Sequence, residues 1–146
     1  LDLLEHLVAT QKRRSRSRSV MHRRMARLYA AMGARMGALQ SLLKAMDDDP
    51  HDADLAMEVG LAAVEMGDLD ATARAFRTLT LMKTVPPGSS QTEGPTAADK
   101  ALAYYHLARV AQKQGDPRKA KLLVEKSIAE ASLEEARALR DVLRGA

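Results

Sequence analysis

The sequence predicts an all-α fold in which helix–turn–helix units repeat along the chain. Three glycines, Gly33, Gly67 and Gly115, each interrupt a stretch of Ala- and Leu-rich sequence with helical patterning. The first two are 34 residues apart, and the third follows after 48, which is 34 plus an insertion of 14. A constant period of this length, with a turn inside each unit, is typical of stacked helical repeats. Such arrays bury one face of each unit against its neighbours and present a concave surface to a partner.

The composition favours helices and excludes several classes of protein. Ala, Leu and Met are abundant, aromatic residues make up 3%, and the sequence contains neither Trp nor Cys. Straight-chain side chains lose little conformational freedom in a helix. The 146 residues are enough for one domain with a continuous core. The absence of cysteine excludes a disulfide framework and thiolate chemistry, and no apolar run approaches the roughly 20 residues that span a bilayer.

Positive charge is concentrated in one segment of the chain. Residues 12–27 contain eight Lys or Arg and no acidic residue, whereas the rest of the chain has 15 basic and 19 acidic residues. The formal charge of +4 therefore comes from a single cationic stretch in an otherwise mildly acidic protein. The chain starts at Leu1 inside a helical pattern, with no initiator Met and no visible signal peptide. We expect a fragment of a longer, bacterial-looking, cytoplasmic protein.

Residues 1–18 are predicted to form a partial upstream helix and a basic linker, and the first repeat occupies residues 19–52. The first helix of this repeat has apolar residues at three- and four-residue spacing, which makes one apolar stripe. The stripe consists of Met25, Leu28, Tyr29 and Met32. Gly33 supplies the turn. The second helix carries Leu39, Leu42, Leu43 and Met46, and it ends before Pro50, which cannot continue a helix.

The second repeat, residues 53–84, follows the same plan. Its first helix carries Leu55, Val59, Ala62, Ala63 and Met66, and its second carries Ala73, Phe76 and Leu79. We expect this second helix to extend as far as Lys83. Residues 85–96 are rich in Pro, Gly and Ser and lack a hydrophobic period, so they are predicted to be a loop insertion. At the end of the loop, Thr96 and Asp99 have the spacing of a helix capping box.

The third repeat is predicted at residues 97–131, with a turn at Gly115. Its two helices carry Leu102, Tyr105, Leu107 and Val110, and then Ala120, Leu123, Val124 and Ile128. A last amphipathic helix occupies residues 132–146 and starts near Ser132. Leu133, Ala136, Leu139 and Leu143 form its apolar face among charged residues. Because terminal repeats need a polar outer face, we expect a C-terminal capping helix.

Aligned on the three glycines, the units resemble the tetratricopeptide repeat (TPR) over about residues 19–132. The family pattern places small residues where paired helices touch and large residues in the gaps, which agrees with close helix packing. The matching residues are Met25, Ala26, Tyr29, Ala38, Leu42, Ala45 and Pro50 in the first repeat, Val59, Gly60 and Phe76 in the second, and Tyr104, Leu107, Ala108 and Ala120 in the third. The resemblance implies a right-handed α-solenoid of three TPR-like repeats with a C-terminal capping helix. Pentatricopeptide repeats have a similar period, but no regular polar code for reading RNA stands out.

The resemblance also implies a binding groove on the concave side of the solenoid. Its expected residues are Arg23, Arg27, Met57, Leu61, Val64, Tyr105, Arg109, Gln112 and Lys113. An apolar floor with cations at both ends suits a protein or peptide partner that has hydrophobic anchors and acidic flanks. Alternatively, Met57 and Leu61 pack against a further helix of the intact protein. One TPR subgroup grips a carboxylate with a Lys/Asn/Arg clamp, which we do not expect here because the sequence contains no Asn.

A second candidate site is a basic patch at the start of the cationic segment. It consists of Lys12, Arg13, Arg14, Arg16 and Arg18. Basic runs bind nucleic acid or anionic surfaces in a salt-dependent manner, although this run has no interleaved aromatic residues that could stack on bases. The simpler interpretation is a solvated linker or helix end whose arginines pair with acidic residues such as those at 47–49.

Nothing in the sequence indicates catalysis, a cofactor or a metal site. The sequence has no Gly-rich phosphate loop and no motif for a Ser or Cys nucleophile, and its four histidines are far apart. The main hypothesis is therefore a non-enzymatic protein-interaction module within a larger scaffold. The alternatives are binding of nucleic acid or an anionic surface by residues 12–27, or a structural spacer that self-associates through the ends of the solenoid.

Overall fold

The computed structural model of the chain describes residues 2–86, 88 and 94–145. Within these residues there are seven α-helices and no β-strand, which confirms the all-α prediction. The helices are α1 (Asp2–Ala31), α2 (Arg35–Asp48), α3 (Ala53–Met66), α4 (Leu69–Thr80), α5 (Ala97–Lys113), α6 (Pro117–Glu130) and α7 (Glu134–Arg144). They fall into two compact units: unit 1, Leu1–Pro50, contains α1 and α2, and unit 2, His51–Ala146, contains α3 to α7.

Each of the three repeat glycines follows a helix and takes a left-handed backbone conformation that residues with a Cβ disfavour. The φ angles of Gly33, Gly67 and Gly115 are 76°, 71° and 77°. After each glycine, the next backbone N–H donates to the carbonyl oxygen five residues earlier, as in a Schellman motif. These bonds join Ala34 to Tyr29 (2.8 Å), Asp68 to Ala63 (3.0 Å) and Asp116 to Ala111 (3.0 Å). The periodic glycines therefore mark turns between paired helices, as predicted.

Side-chain caps start four of the helices in unit 2. The carboxylates of three N-cap aspartates accept a backbone N–H in the first turn of α3, α4 and α6, at 3.0, 3.0 and 3.1 Å. These caps are Asp52, Asp68 and Asp116. At α5, Thr96 and Asp99 form the predicted capping box, in which each side chain accepts the backbone N–H of the other residue. Such caps satisfy N–H groups that have no partner within the helix.

Two helix boundaries differ from the prediction. The helix α4 ends at Thr80 rather than near Lys83. At its end, the Thr80 hydroxyl donates to the Arg77 carbonyl at 2.8 Å, and the backbone N–H of Leu81 donates to the same carbonyl. The helix α7 begins at Glu134 rather than near Ser132, and it has no side-chain cap.

The predicted loop at residues 85–96 connects α4 to α5. A hydrogen bond of 2.9 Å from the Val85 N–H to the Pro95 carbonyl joins the two ends of the loop. Residues 85, 86, 95 and 96 are outside the helices, and residues 87 and 89–93 of the predicted loop lie outside the described residues.

In unit 1, the predicted linker between a partial upstream helix and the first repeat does not occur. Residues 12–18 are helical, and α1 runs for 30 residues without a break. The sequence between residues 2 and 31 contains no Gly or Pro, and Arg is among the better helix formers. Nothing in the basic segment therefore stops the helix.

The apolar stripe predicted for the first helix of repeat 1 is largely exposed. Leu28 and Met32 are 65% and 72% exposed, whereas α1 buries the small side chains of Ser19 and Ala26. The helix packs on α2, which buries Leu39, Leu42, Ala45 and Met46. Small residues let two helices approach closely, and α1 packs on α2 through these small side chains together with the half-buried Tyr29, whose ring lies against Gly37 of α2. The predicted stripe therefore contacts α2 through Tyr29, while Leu28 and Met32 face solvent.

In unit 2, each helix from α3 to α6 packs on the next one. Between α3 and α4, the fully buried ring of Phe76 faces Gly60, where a Cβ would lie 2.6 Å from the ring. Further along, buried residues of α5 and α6 form one cluster with Leu139 and Leu143 of α7. The remaining surface of α7 exposes charged residues, as predicted for a capping helix.

Candidate functional site

Four of the predicted groove residues line one open cleft in unit 2. The cleft has a volume of about 210 Å³, and Val64, Tyr105, Arg109 and Lys113 are part of its lining. The remaining lining residues are Gly67, Leu69, Thr72, His106 and Val110. The cleft therefore lies where α3 ends, α4 begins and α5 passes both; we call it the α3–α5 cleft.

Helix geometry explains why these side chains meet. Tyr105, Arg109 and Lys113 are four residues apart on α5, so they lie on one face of that helix. The turn between α3 and α4 forms the other wall. Its Asp68 caps α4 by accepting the Ala71 N–H at 3.0 Å, and the Asp68 carbonyl accepts the Thr72 hydroxyl at 2.7 Å. These bonds fix the start of α4 against the end of α3.

The apolar floor of the predicted groove lies on α3 and is open to solvent. Met57, Leu61 and Val64 are spaced by four and three residues, so they share one face of α3. Leu61 is 42% exposed, Val64 is 39% exposed, and Met57 is half-buried. Large apolar side chains with this exposure offer contact area to a partner.

Two cations border the cleft on the side of α5. Arg109 is half-buried, and its guanidinium donates a hydrogen bond of 2.9 Å to Oε1 of Gln112. Gln112, a predicted groove residue, therefore orients Arg109. Lys113 is exposed one turn further along the helix. Among the described residues that line the cleft, Arg109 and Lys113 carry positive charge and none is acidic, so an anionic group placed beside them would meet two cations.

His106 lies in the same cleft, and the sequence patterns do not point to it. Its ring stacks on Phe76, with centroids 4.8 Å apart and an interplanar angle of 14°. Burial lowers the pKa of His106 below its ordinary value of 6.5; Arg109 lowers it further, Glu135 opposes this, and Lys113 adds a smaller lowering. The sequence offers one indication that His106 is near the site: it follows Tyr105 on a helix predicted to line the groove.

The lowered pKa of His106 makes stability depend on pH. Because this pKa is lower in the folded chain than in the unfolded chain, the unfolded chain binds more protons once the pH falls below about 6.5. Neutral His106 therefore makes its full contribution to the free energy of unfolding above that pH. This contribution is lost as the pH decreases towards the folded-state pKa. We expect His106→Gln to reduce the difference in the free energy of unfolding between neutral and mildly acidic pH, measured by urea denaturation.

A matched control for this prediction is His51→Gln, which changes an exposed histidine in the same unit. A change in pH dependence that both variants share would not be specific to His106. An equal pH dependence of unfolding in His106→Gln and in the unmodified protein would show that His106 does not titrate as described.

Arg23 and Arg27, the predicted groove cations of the first repeat, lie on α1 in unit 1. Arg23 is half-buried and Arg27 is exposed. Their participation in a groove together with residues of unit 2 stays a prediction.

The predicted basic patch lies on the surface of α1 rather than on a linker. Four of its arginines are exposed: Arg13, Arg14, Arg16 and Arg18. The side chain of Lys12 lies outside the described residues. In a helix, positions 13 and 16 face one side and positions 14 and 18 face another, so the run is divided between two faces. Nε of Arg18 is 3.5 Å from Oδ1 of Asp48, whose Oδ2 is 3.6 Å from Nε2 of His22. One arginine of the patch thus pairs with the acidic run at the end of α2.

Within the part of the chain that the structure describes, no group of three or more His, Asp or Glu residues is arranged to hold a metal ion. None of the described helices is both long enough and apolar enough to cross a membrane. In the lining of the α3–α5 cleft, the Thr72 hydroxyl donates a hydrogen bond to the backbone carbonyl oxygen of Asp68.

Comparison with known proteins identifies the fold. No protein-family model matches the sequence, and no curated protein matches it either. The N-terminal domain of stress-induced protein-1 (STI-1) from C. elegans is similar in structure, with a TM-score of 0.68 and 14% identity, over 89% of this chain and 97% of that one. The first TPR of Spaghetti (RPAP3), bound to the HSP90 peptide SRMEEVD, has a TM-score of 0.60 and 13% identity over 89% and 93%. The crystal structure of MamA has a TM-score of 0.52 and 20% identity over 87% and 68%.

These likenesses agree with the repeat geometry. The three glycine turns, the paired helices and the capping helix are those of a TPR-like repeat protein, as the sequence resemblance implies. The chain therefore has a TPR-like α-solenoid fold. Structural similarity at sequence identities of 20% or less shows a shared fold only. The partner must be inferred from the residues of this chain.

Proposed function

We propose that the chain is a non-enzymatic protein-interaction module that binds a segment of a partner protein in the α3–α5 cleft. The observation that carries this proposal is an open cleft that combines the exposed Val64 with two cations, next to apolar surface that continues along α3 through Leu61. The partner would place an apolar anchor on Leu61 and Val64 and an acidic residue beside Arg109 and Lys113. The fold supports the proposal, because stacked helical repeats present extended surfaces to partners.

The size of the cleft favours a protein segment over a free small molecule. At about 210 Å³ it is smaller than the roughly 300–1,000 Å³ of typical small-molecule sites. The apolar surface also continues beyond the cleft along α3, through Leu61 towards Met57. An extended or helical segment with more than one anchor would use both the cleft and this continuation.

The apolar contacts are expected to supply most of the affinity, and the charges most of the selectivity. Burial of one Leu- or Val-sized anchor contributes about 1.5–3 kcal/mol, whereas an exposed ion pair contributes about 0.2–1 kcal/mol. Arg109 and Lys113 would therefore select acidic partners and accelerate association. High salt should weaken binding without abolishing it.

The peptide held by the first TPR of Spaghetti supports this class of ligand. Its sequence, SRMEEVD, combines Met and Val with acidic residues. The present chain contains no Asn, so a carboxylate clamp built with asparagines is not available to it. We therefore propose an acidic segment with apolar anchors as the class of partner, rather than that particular peptide.

The alternatives have weaker support. Nucleic-acid binding through the basic patch would use arginines that are divided between two faces of α1, one of which pairs with Asp48. A spacer that self-associates would leave the cations of the α3–α5 cleft without a role. A cytoplasmic location fits the same proposal, because the chain contains no cysteine.

A peptide-display selection tests the proposal. The complete chain is used to select binders from a random-peptide library, and the affinities of the selected peptides are measured by fluorescence anisotropy. We expect enriched peptides to combine apolar and acidic residues and to bind Arg109→Glu at least about fivefold more weakly. The matched control is Arg118→Glu, which makes the same charge change at an exposed residue outside the cleft.

Three results of this selection would contradict the proposal. They are the absence of enriched peptides, enrichment of basic peptides, and an equal loss of affinity in Arg109→Glu and Arg118→Glu. A mass that increases with protein concentration, without any enriched peptide, would instead support the self-associating spacer.

A further inference from the structure

We propose that unit 2 has a second docking surface, a groove between α4 and α6 that binds an acidic segment of another protein through one apolar anchor. The groove has a volume of about 260 Å³, and buried residues of α5 form its floor. We call it the α4–α6 groove. It does not depend on the binding proposed for the α3–α5 cleft.

The two surfaces use different sides of α5. The α3–α5 cleft contains Tyr105 and Arg109, whereas the α4–α6 groove contains Tyr104, Leu107 and Ala111. With 3.6 residues per turn, these two sets point to nearly opposite sides of the helix. The buried Val110 lines both surfaces, but their other lining residues differ, so a segment bound in one of them would leave most of the other one open.

Apolar surface is exposed at one end of the α4–α6 groove. Leu81, which follows the last residue of α4, is 86% exposed, the highest value among the large hydrophobic residues that the structure describes. It lines the groove together with the half-buried Tyr104 and Leu123 and the buried Leu107. An apolar anchor placed among these side chains would remove Leu81 from water, which is favourable in proportion to the apolar area buried.

Three exposed cations border this apolar surface. They are Arg77 on α4 and Lys119 and Lys126 on α6. Nζ of Lys126 lies 5.9 Å from the centroid of the Tyr104 ring, a cation–π contact that holds the ammonium group over the floor. The described lining of the groove includes no acidic residue, and no ion pair found within the described residues involves these cations. Charge complementarity therefore requires an anionic occupant.

The occupant that fits this chemistry is a segment rich in Asp or Glu with one aliphatic residue. The volume of the groove is below that of typical small-molecule sites. Lys126 lies over one face of the Tyr104 ring, and none of the other described residues that line the groove is aromatic, so the groove offers little for stacking on nucleic-acid bases. An aliphatic side chain would instead lie beside Leu81 and Leu123, with carboxylates on either side of it facing the three cations.

The test uses the complete chain and, as a probe, the acetylated and amidated peptide EELEE. Titration of ¹⁵N-labelled protein, followed by NMR, identifies the backbone amides whose signals shift. We expect the largest shifts around Tyr104, Leu123 and Lys126. We also expect Lys126→Glu to raise the Kd about fivefold or more.

Two further variants make the test specific. Arg118→Glu makes the same charge change on α6 outside the groove and should change the Kd less than about twofold. Leu81→Ala removes an exposed apolar side chain, so it should weaken peptide binding while circular dichroism and thermal unfolding stay unchanged. If Lys126→Glu does not fold, Lys126→Gln provides the same test with a smaller expected effect.

Several outcomes would overturn the proposal. If Lys126→Glu and Arg118→Glu lose the same amount of affinity for the peptide, the peptide is attracted by the overall positive charge and not by the groove. Shifts confined to Tyr105, Arg109 and Lys113 would assign the peptide to the α3–α5 cleft, and the absence of any shift would exclude the groove for this ligand class. A concentration-dependent mass that Lys126→Glu abolishes would identify a second copy of the chain as the occupant. If Arg109→Glu abolishes peptide binding while Lys126→Glu and Leu81→Ala bind normally, the peptide occupies the α3–α5 cleft and not the α4–α6 groove.

Discussion

Replacement of Phe76 by alanine is expected to lower the free energy of unfolding by about 3–5 kcal/mol. The ring is fully buried, lies against Gly60 on α3 and stacks on His106 on α5, so it joins three helices. Removing it leaves a cavity in the middle of unit 2. A typical domain is stable by only about 5–15 kcal/mol, so most of the stability would be lost. Urea denaturation monitored by circular dichroism measures the effect.

A double-mutant cycle with Gly60→Ala isolates this contact. In the unmodified protein, the added methyl group would lie 2.6 Å from the Phe76 ring, and overpacking of this kind costs about 1–3 kcal/mol. In Phe76→Ala the same methyl group meets free space, so its cost should largely disappear. Val142→Ala, at an exposed position on α7, is the control and should stay within about 0.5 kcal/mol. If the losses in the free energy of unfolding caused by Gly60→Ala and Phe76→Ala are strictly additive, residue 60 does not contact the Phe76 ring.

Val64→Asp is expected to weaken the binding of a display-selected peptide about tenfold or more without changing the helical content. Val64 lines the α3–α5 cleft and is 39% exposed, so a carboxylate at this position stays hydrated in the free protein. In the complex it would replace an apolar contact worth about 1.5–3 kcal/mol and face acidic residues of the ligand. Because 1.4 kcal/mol corresponds to a tenfold change in Kd, the loss is readily measured by isothermal titration calorimetry.

The matched control for this prediction is Leu122→Asp, which makes a similar change at an exposed residue of α6 outside both grooves. Its Kd should stay within about twofold of that of the unmodified protein. Leu61→Asp, one turn earlier on α3, should behave like Val64→Asp. Loss of helical circular dichroism in either cleft variant would show that the side chain belongs to the core. Unchanged affinity in both Val64→Asp and Leu61→Asp would show that α3 is not part of the binding site.

The turns and caps can be predicted from the sequence because each depends on one or two residues close together in the chain. A backbone with positive φ requires Gly, and for this reason Gly33, Gly67 and Gly115 reveal the repeat. The capping box needs only Thr96 and Asp99, three residues apart. Such local signals identify the repeat plan and its helix pairs without any knowledge of packing.

The packing of α1 cannot be predicted from its own sequence. An apolar stripe identifies a helix face, but it does not show that another helix lies against that face. Leu28 and Met32 carry the strongest apolar signal, yet α2 packs against the side that holds Ser19 and Ala26. The continuity of α1 cannot be predicted for a related reason, since charge density at residues 12–18 indicates solvent exposure and does not exclude a helix.

The candidate site can be predicted in part. The four-residue spacing of Tyr105, Arg109 and Lys113 places them on one side of α5, and the repeat resemblance brings that side towards Val64. His106 cannot be found in this way, because its environment is set by Phe76 on α4 and Glu135 near the start of α7, which are distant in sequence. The hydrogen bond between Arg109 and Gln112 also becomes evident only from the structure.

The most direct test of the central claim, that the α3–α5 cleft binds a partner segment, is the NMR footprint of a display-selected peptide on the complete chain. We predict shifts at the amides of Leu61, Val64, Tyr105 and Arg109, and loss of these shifts at the same peptide concentration in Val64→Asp. Shifts confined to other residues, with these four amides unaffected at saturating peptide, would contradict the claim.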